Sequence, residues 1–346
     1  MTIGGEFKLA VGAAFTPRQS VIEAILEERP YPVKAGLFFG TNPMLTYPDA
    51  RKTYDALLKL EFLVVCDLFM TPTAELADIV LPVAGHFEFD EVSPYPANRG
   101  YILAYPKIVE PPDECWSDMK IINELMKRLG FAEYSWADEG EALDAILEPA
   151  GLGFKQFKKE RVLAAKSEYL KYKKLGFDTS SGKVEIYSER LENMGYSPVP
   201  VYIEPLDMLS PGLADEYPLV LTSAKPRHFC HSAYRSVASL RQREPEPRAR
   251  LNPETAARFG ITERDELFIE TKMGRIKQRL EMDEDLDPRV IVADFGWWFP
   301  EKGPGDLYGW SVANVNVLTD SAPPHDMAVG SLAVRGFNCR VYKADS

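Results

Sequence analysis

An α/β domain followed by a small, mostly β domain is what this sequence predicts, and three observations predict it. Phe62–Cys66 is an unbroken apolar run, FLVVC, of the kind that forms a strand buried on both faces in a parallel sheet. That run belongs to an order of strand, helix, strand, short helix, strand between Ala35 and Pro82, which is half of a doubly wound domain. From Tyr217 onward the pattern becomes mostly β, with short strands at a spacing that suggests a small barrel.

Bulk properties narrow the function. The chain has 346 residues, 45% hydrophobic and 27% charged, which is room for two domains. Its net charge of −12 disfavours a general nucleic-acid binder, because neutralising phosphates requires a basic surface. Cys66, Cys115, Cys230 and Cys339 include no C-x-x-C pair, so neither a zinc ribbon nor an iron–sulfur ligand run is visible, and no disulfide framework is expected. No apolar run reaches the length of about 18 residues that spans a membrane. There is no signal-peptide core and no twin-arginine motif, so a cytoplasmic location is expected unless an export signal belongs to a missing part.

The elements follow in order. Thr16–Arg29 reads as an amphipathic helix with Val21, Ile22, Ile25 and Leu26 on one face, ended by Pro30 and Pro32. Ala35–Phe39 reads as a buried strand leading into Gly40-Thr41-Asn42-Pro43. The glycine permits a tight turn, the residue before proline is held extended, and Asn42 can present its amide to a ligand at the sheet edge. Taken alone, the four residues are weak evidence and read first as a plain strand-to-helix turn. Asp49–Leu60 is the next helix, with Tyr54, Leu57 and Leu58 toward the sheet. Asp67 follows Phe62–Cys66 at the carboxyl end of the strand, where open α/β sheets bind ligands. Its carboxylate can accept two hydrogen bonds from one planar edge, such as guanine N1–H and N2–H₂. Thr71-Pro72 offers an N-cap and a first-turn proline for one or two helical turns at Thr73–Ala77. Ile79–Leu81 is a third strand, and three strands leave a sheet edge that needs a partner.

Beyond Pro82 the character changes. Glu88, Asp90 and Glu91, followed by Asn98-Arg99, form either a solvated acidic loop or part of a site, and His86 stands isolated. Ser117 or Asp118 can cap a helix over Met119–Leu129 that Gly130 closes. Phe131–Gly176 reads as helical. Its basic stretch, Lys155–Lys174, interleaves with Phe154, Phe157, Leu163 and Tyr169. That pattern suggests nucleic acid or a solvated helix face, and the overall acidity favours the face. Ser180–Lys183 reads as a hairpin turn before a strand at Val184–Tyr187, and Pro198–Pro211 as a proline-rich connector and domain boundary. Strands are expected at Leu219–Thr222, Glu266–Thr271, Arg275–Glu281 and Val290–Ala293. A short helix closed by Gly260 is expected at Leu251–Phe259, an exposed loop at Arg241–Arg250, and a closing strand that Cys339 begins. The loop Ser223–Ser232 is the richest polar stretch. His228, Cys230 and His231 are a poor metal set, because adjacent residues rarely converge and no carboxylate or second thiol lies nearby in sequence.

The G-T-N-P loop, the FLVVCD strand one helix downstream, SGKVEIYS at Ser181–Ser188, and Ile261–Leu267 with Met273-Gly274 together resemble the molybdopterin oxidoreductases of the dimethyl sulfoxide reductase family. The resemblance implies molybdenum or tungsten held by two molybdopterin guanine dinucleotides. It further implies that the chain is the C-terminal half of a catalytic subunit: a partial Rossmann-like, dinucleotide-binding α/β domain at 1–130, a helical and hairpin connector at 131–213, and a double-psi β-barrel that binds molybdopterin dinucleotide at 214–346. Gly40, Asn42, Asp67 and Asp118 are then dinucleotide contacts. Ser223, Lys225, His231 and Ser232 wrap the cofactor, as cationic donors and hydroxyls suit a pyrophosphate and a polar pterin. Trp297 covers it, and Asn316, in N-x-L-T, both donates to and accepts from a pterin ring. The sequence departs from the pattern at Phe89 and Phe337, where some members carry lysine, and at Arg264, where glycine is usual. It departs again at Lys225, which keeps the charge of an arginine and loses its fork.

No catalytic residue and no metal ligand is assigned within this chain. The metal-ligating residue and the iron–sulfur cysteines are expected in the missing N-terminal half. That half and an iron–sulfur electron-transfer subunit are the implied partners, with no nucleic acid and no membrane span. The alternative is a stand-alone, non-catalytic molybdopterin-binding or scaffold subunit.

Overall fold

The computed structural model describes residues 2–12, 15–93, 100–166, 168–202, 204 and 212–344. Asn98-Arg99 and the latter half of the Pro198–Pro211 connector lie outside the described residues. The chain divides into two compact units. One comprises Met1–Val65, Phe69–Ile79 and Ser188–Ser346, and the other Cys66–Leu68 with Val80–Tyr187.

In the first unit, helix α1 (Arg18–Glu27) precedes strand β1 (Ala35–Phe39). A one-turn helix, Pro43–Thr46, and helix α2 (Ala50–Lys59) lead to β2 (Phe62–Asp67). A single 3₁₀ turn, Ala74–Leu76, then leads to β3 (Ile79–Pro82). The three strands form a sheet ordered β1-β2-β3, and β2 and β3 run on into the second unit. Asp49 caps α2, its carboxylate accepting from the Lys52 amide at 3.2 Å. Ile22 and Ile25 of α1 pack with Ala56 of α2, as the apolar spacing requires. Leu57 turns inward, but Leu58, one step of about 100° further round the helix, is exposed. The expectation of doubly buried strands fails in part. Leu63, Val65 and Cys66 are buried, while Leu37 and Phe62 are 45% and 44% exposed. Val65 and Cys66 are consecutive and point to opposite faces, so β2 is covered on both faces near its carboxyl end and open at Phe62.

The second unit contains an antiparallel sheet of β4 (Glu91–Ser93), β5 (Tyr101–Tyr105) and β6 (Val162–Ala164). Helices α3 (Asp118–Arg128), α4 (Glu139–Leu147) and α5 (Phe154–Glu160) accompany it. Val92, Ala104, Leu143, Leu147, Phe154 and Phe157 form one core. The expected basic helix face is therefore shorter than predicted, since Phe154 and Phe157 face inward and the chain turns into β6 directly afterwards. Val184–Tyr187 is not a strand. Glu185 instead accepts from Ser180 Oγ at 2.9 Å and from the Ser181 amide and hydroxyl at 3.2 and 3.0 Å, which satisfies the turn locally.

The rest of the first unit is a closed six-stranded barrel. Its strands are β7 (Leu219–Ala224), β8 (Arg248–Leu251), β9 (Glu266–Thr271), β10 (Gly274–Met282), β11 (Val290–Asp294) and β12 (Phe337–Lys343). Their order around the barrel is β10-β8-β11-β7-β12-β9. The β10–β8 and β11–β7 pairs are parallel, and the other four are antiparallel. Period-two alternation sends Leu267, Ile269, Thr271 and Leu251 inward, with Ile276, Leu280, Ile291 and Val341 filling the same core. The predicted exposed loop at Arg241–Arg250 is corrected: it already contains the start of β8, and Glu244 within it is buried. A helix, α6 (Pro253–Arg258), follows β8. Arg264 has φ +66°, a left-handed conformation that explains why glycine suits this position better. Among the described residues, no helix is long and apolar enough to cross a membrane.

Candidate functional site

The chain leaves β1 at Gly40, whose φ of +51° calls for glycine although the space above it is open. Asn42 then occupies the N-cap position of Pro43–Thr46, yet its side chain makes no capping bond. The Thr73 hydroxyl takes that place, accepting from the Met44 amide at 3.2 Å and donating to Asn42 Oδ1 at 2.6 Å. Asn42 is buried, and its Nδ2 has no hydrogen-bond partner. The same turn is held from its other end by the 3₁₀ turn Val315–Val317 and its N-cap, Asn314. Asn314 Nδ2 donates to Met44 O at 3.0 Å, and Asn316 Nδ2 donates to Leu45 O at 2.9 Å. The Asp49 amide donates to Thr319 Oγ1 at 3.0 Å. One proton of the Asn316 amide thus goes to protein backbone, at the residue that the resemblance implied to face a pterin.

The polar loop Ser223–Ser232 leaves the barrel at the end of β7, with Ser223 still paired to Ala293 of β11. Lys225 and His231 are exposed, and Ser232 is buried. The loop is anchored by two residues that sequence reasoning missed. Glu244 accepts from the amides of Arg227 and His228 at 3.1 and 3.0 Å, and from Arg248 Nη2 at 3.0 Å. Arg235 is fully buried and donates through Nη2 to the carbonyls of His231 and Phe295, both at 3.2 Å. Its guanidinium carbon lies 3.8 Å from the Phe229 ring centroid and 4.7 Å from that of Trp297. Burial pushes this guanidinium down to about 9, which leaves it charged at neutral pH.

His231 has φ +50°, and its carbonyl lies so close to Gly296 that a Cβ there would be 2.6 Å away. Glycine at 296 is therefore what lets β11 exit beneath this loop. Both tryptophans after it are buried. Trp298 Nε1 donates to Ser232 O at 2.8 Å, whereas Trp297 Nε1 has no partner. Trp297 is enclosed by Phe229, Phe299 and the two guanidiniums of Arg235 and Arg241.

In the second unit, Asp67 Oδ1 accepts from the Leu68 amide at 2.7 Å. Ser117 is the N-cap of α3, its hydroxyl accepting from the Lys120 amide at 3.1 Å, so Asp118 is the first helical residue. Partial desolvation raises the Asp118 carboxyl. Burial, then the charges of Asp118 and Asp67, push the Cys66 thiol up to about 11, which puts these three residues in one neighbourhood. In the first unit, His228 Nδ1 lies 3.6 Å from Glu244 Oε2. Among the described residues, no group of three or more His, Cys, Asp or Glu side chains is arranged to hold a metal ion.

This combination of an α/β sheet, a closed barrel and polar loops at strand ends has known counterparts. Residues 8–128 match the family described as Molybdopterin oxidoreductase, and residues 219–333 match the Molydopterin dinucleotide binding domain. The chain belongs to the molybdopterin oxidoreductases, with homologues in the dimethyl sulfoxide reductase family. It is 33% identical to acetylene hydratase of Syntrophotalea acetylenica over 336 residues, covering 94% of this chain and 46% of the relative. It is 29% identical to dimethyl sulfoxide/trimethylamine N-oxide reductase of Rhodobacter capsulatus, covering 95% and 45%. The solved acetylene hydratase from Pelobacter acetylenicus superposes with a TM-score of 0.88 at 31% identity, over 95% of this chain and 47% of that one. The chain spans about half the length of these relatives.

Proposed function

We propose that this chain is the cofactor-binding portion of a molybdenum- or tungsten-dependent oxidoreductase catalytic subunit that holds two molybdopterin guanine dinucleotides. A polypeptide supplying the rest of the subunit would complete it, carrying the metal-ligating residue and any iron–sulfur cluster, with an iron–sulfur subunit as redox partner. The observation that carries this reading is the buried, unpartnered amide nitrogen of Asn42 at the carboxyl end of β1. A buried donor without an acceptor costs about 1–3 kcal/mol, and a ligand with acceptor oxygens at this strand end offsets that cost.

The residues present suit the group. In the first unit the space above Gly40 is open, and the loop with Ser223, Lys225, His231 and Ser232 offers hydroxyls, a cation and an imidazole. In the second unit Asp67 and Asp118 bring carboxylates that can accept from a guanine edge. When bound, the group supplies the electron transfer, and the protein binds, orients and shields it. On this reading the α/β sheet is the partial Rossmann-like domain, the barrel has double-psi topology, and residues 131–213 connect them. Asn316 then acts through the turn it holds, and Trp297 supports the cofactor loop from within.

The test is metal analysis of the purified chain together with guanine nucleotide release after acid hydrolysis. Molybdenum or tungsten with guanine nucleotide, in the chain alone or after co-expression with the N-terminal portion of the subunit, is the expected result. Nucleotide without catalytic activity in the completed subunit would favour a scaffold subunit. Neither metal nor nucleotide under both conditions would sink the cofactor reading.

A further inference from the structure

We propose that Thr73 is a positioning residue. Its hydroxyl takes over the helix cap from Asn42 and thereby aims the Asn42 amide at an acceptor oxygen of the guanine nucleotide. The proposal rests on the cofactor reading above.

An asparagine at an N-cap ordinarily accepts a hydrogen bond from a first-turn amide. Asn42 holds that position without making that bond. The first-turn amide of Met44 is instead satisfied by Thr73 Oγ1, 29 residues further along the chain, at 3.2 Å. The hydroxyl's own proton goes to Asn42 Oδ1 at 2.6 Å. These two bonds orient the carboxamide. With the oxygen committed to Thr73, the nitrogen points elsewhere, and it finds no partner in the protein. Rotating the amide by half a turn would place the nitrogen against Thr73 and leave the hydroxyl proton without an acceptor, so the observed orientation satisfies more groups.

Thr73 is fully buried and Asn42 is 7% exposed, so water competes weakly for either. The Asn42 backbone is fixed as well, its carbonyl accepting from Thr46 Oγ1 at 2.9 Å. An NH₂ group can only donate, so the complementary atom is an acceptor, and a phosphate or carbonyl oxygen of a guanine nucleotide provides one. Thr73 itself has both hydrogen-bonding roles occupied within the protein, so it acts through Asn42.

The experiment is calorimetric titration of the full chain with GDP, for wild type, Thr73→Val, Thr73→Ser, Asn42→Ala and the Thr73→Val/Asn42→Ala double variant. Thr73→Val and Asn42→Ala are each expected to weaken binding about tenfold. Thr73→Ser is expected to restore it to within about twofold, and the double variant to bind like either single one, since both remove the same contact. Affinity unchanged in Thr73→Val overturns the proposal. So does a double variant whose losses add, because that is the mark of a structural role separate from Asn42. A second readout needs no ligand: the side-chain amide resonances of Asn42 in selectively labelled protein. They should shift or broaden in Thr73→Val and return in Thr73→Ser. If wild type binds no GDP, the cofactor reading loses that support, while unchanged amide resonances in Thr73→Val overturn the positioning role itself.

Discussion

The barrel and the three-stranded sheet lie in the same chain and differ in how completely they bury themselves. Every barrel strand has two neighbours, and Leu251, Leu267, Ile269 and Ile291 are wholly enclosed. Among the described residues, β1 and β3 each have one neighbour in their sheet, and Leu37, Phe62 and Ile79 stand exposed. Closure satisfies backbone groups and apolar side chains together, whereas an open sheet leaves both available. The difference teaches where this chain is self-sufficient and where it offers surface. The anchored loops follow the same division. Ser223–Ser232 is pinned by Glu244 and Arg235, while the Asn42 turn is held by Thr73, Asn314 and Asn316 yet keeps one donor unpaired.

The largest expected effect tests the barrel. Ile269→Ala removes a fully buried side chain that sits in register with Ile276 and Val341, and should cost about 2–5 kcal/mol in urea unfolding. Asp294 sharpens the same half. Burial holds its carboxyl up at about 6, above its unfolded value, so the folded state binds the proton more tightly. Stability is therefore greatest below about pH 4 for this group and falls as pH rises toward 6. Urea unfolding at pH 4.5 and pH 7 should show a loss of about 2 kcal/mol from this residue in wild type. Asp294→Asn should remove most of that pH dependence. On the sheet, Leu37→Ser should change the stability of the chain by less than about 0.5 kcal/mol. A loss there as large as that of Ile269→Ala would break the comparison. The smallest effect concerns thiols. Iodoacetamide at pH 8 should modify exposed Cys230 first, and buried Cys66 and Cys339, both pushed up by burial, only on unfolding.

Much of the architecture was legible in periodicity. The strand at Glu266–Thr271 and the helices near Arg18–Glu27 and Ala50–Lys59 follow directly from apolar spacing. The failures have physical causes. Val184–Tyr187 alternates like a strand, but among the described residues it joins no sheet, and Glu185 is drawn into bonds with two serines. Arg241–Arg250 reads as a charged loop, because nothing in one sequence marks Glu244 as the acceptor for three donors from elsewhere. Arg235 looks like a solvated arginine, and Thr73 like an ordinary helical residue.

Residue order by itself determined the local elements, the glycine at position 40, the acidic surface and the family resemblance, because these depend on neighbours along the chain. Tertiary structure alone decided which polar groups are spent and which are kept. Asn316 and Asn42 are the same residue type in equally suggestive motifs, yet one amide donates to Leu45 O and the other donates to nothing. That outcome depends on which distant hydroxyl or carbonyl the fold brings within about 3 Å, and no local pattern encodes it.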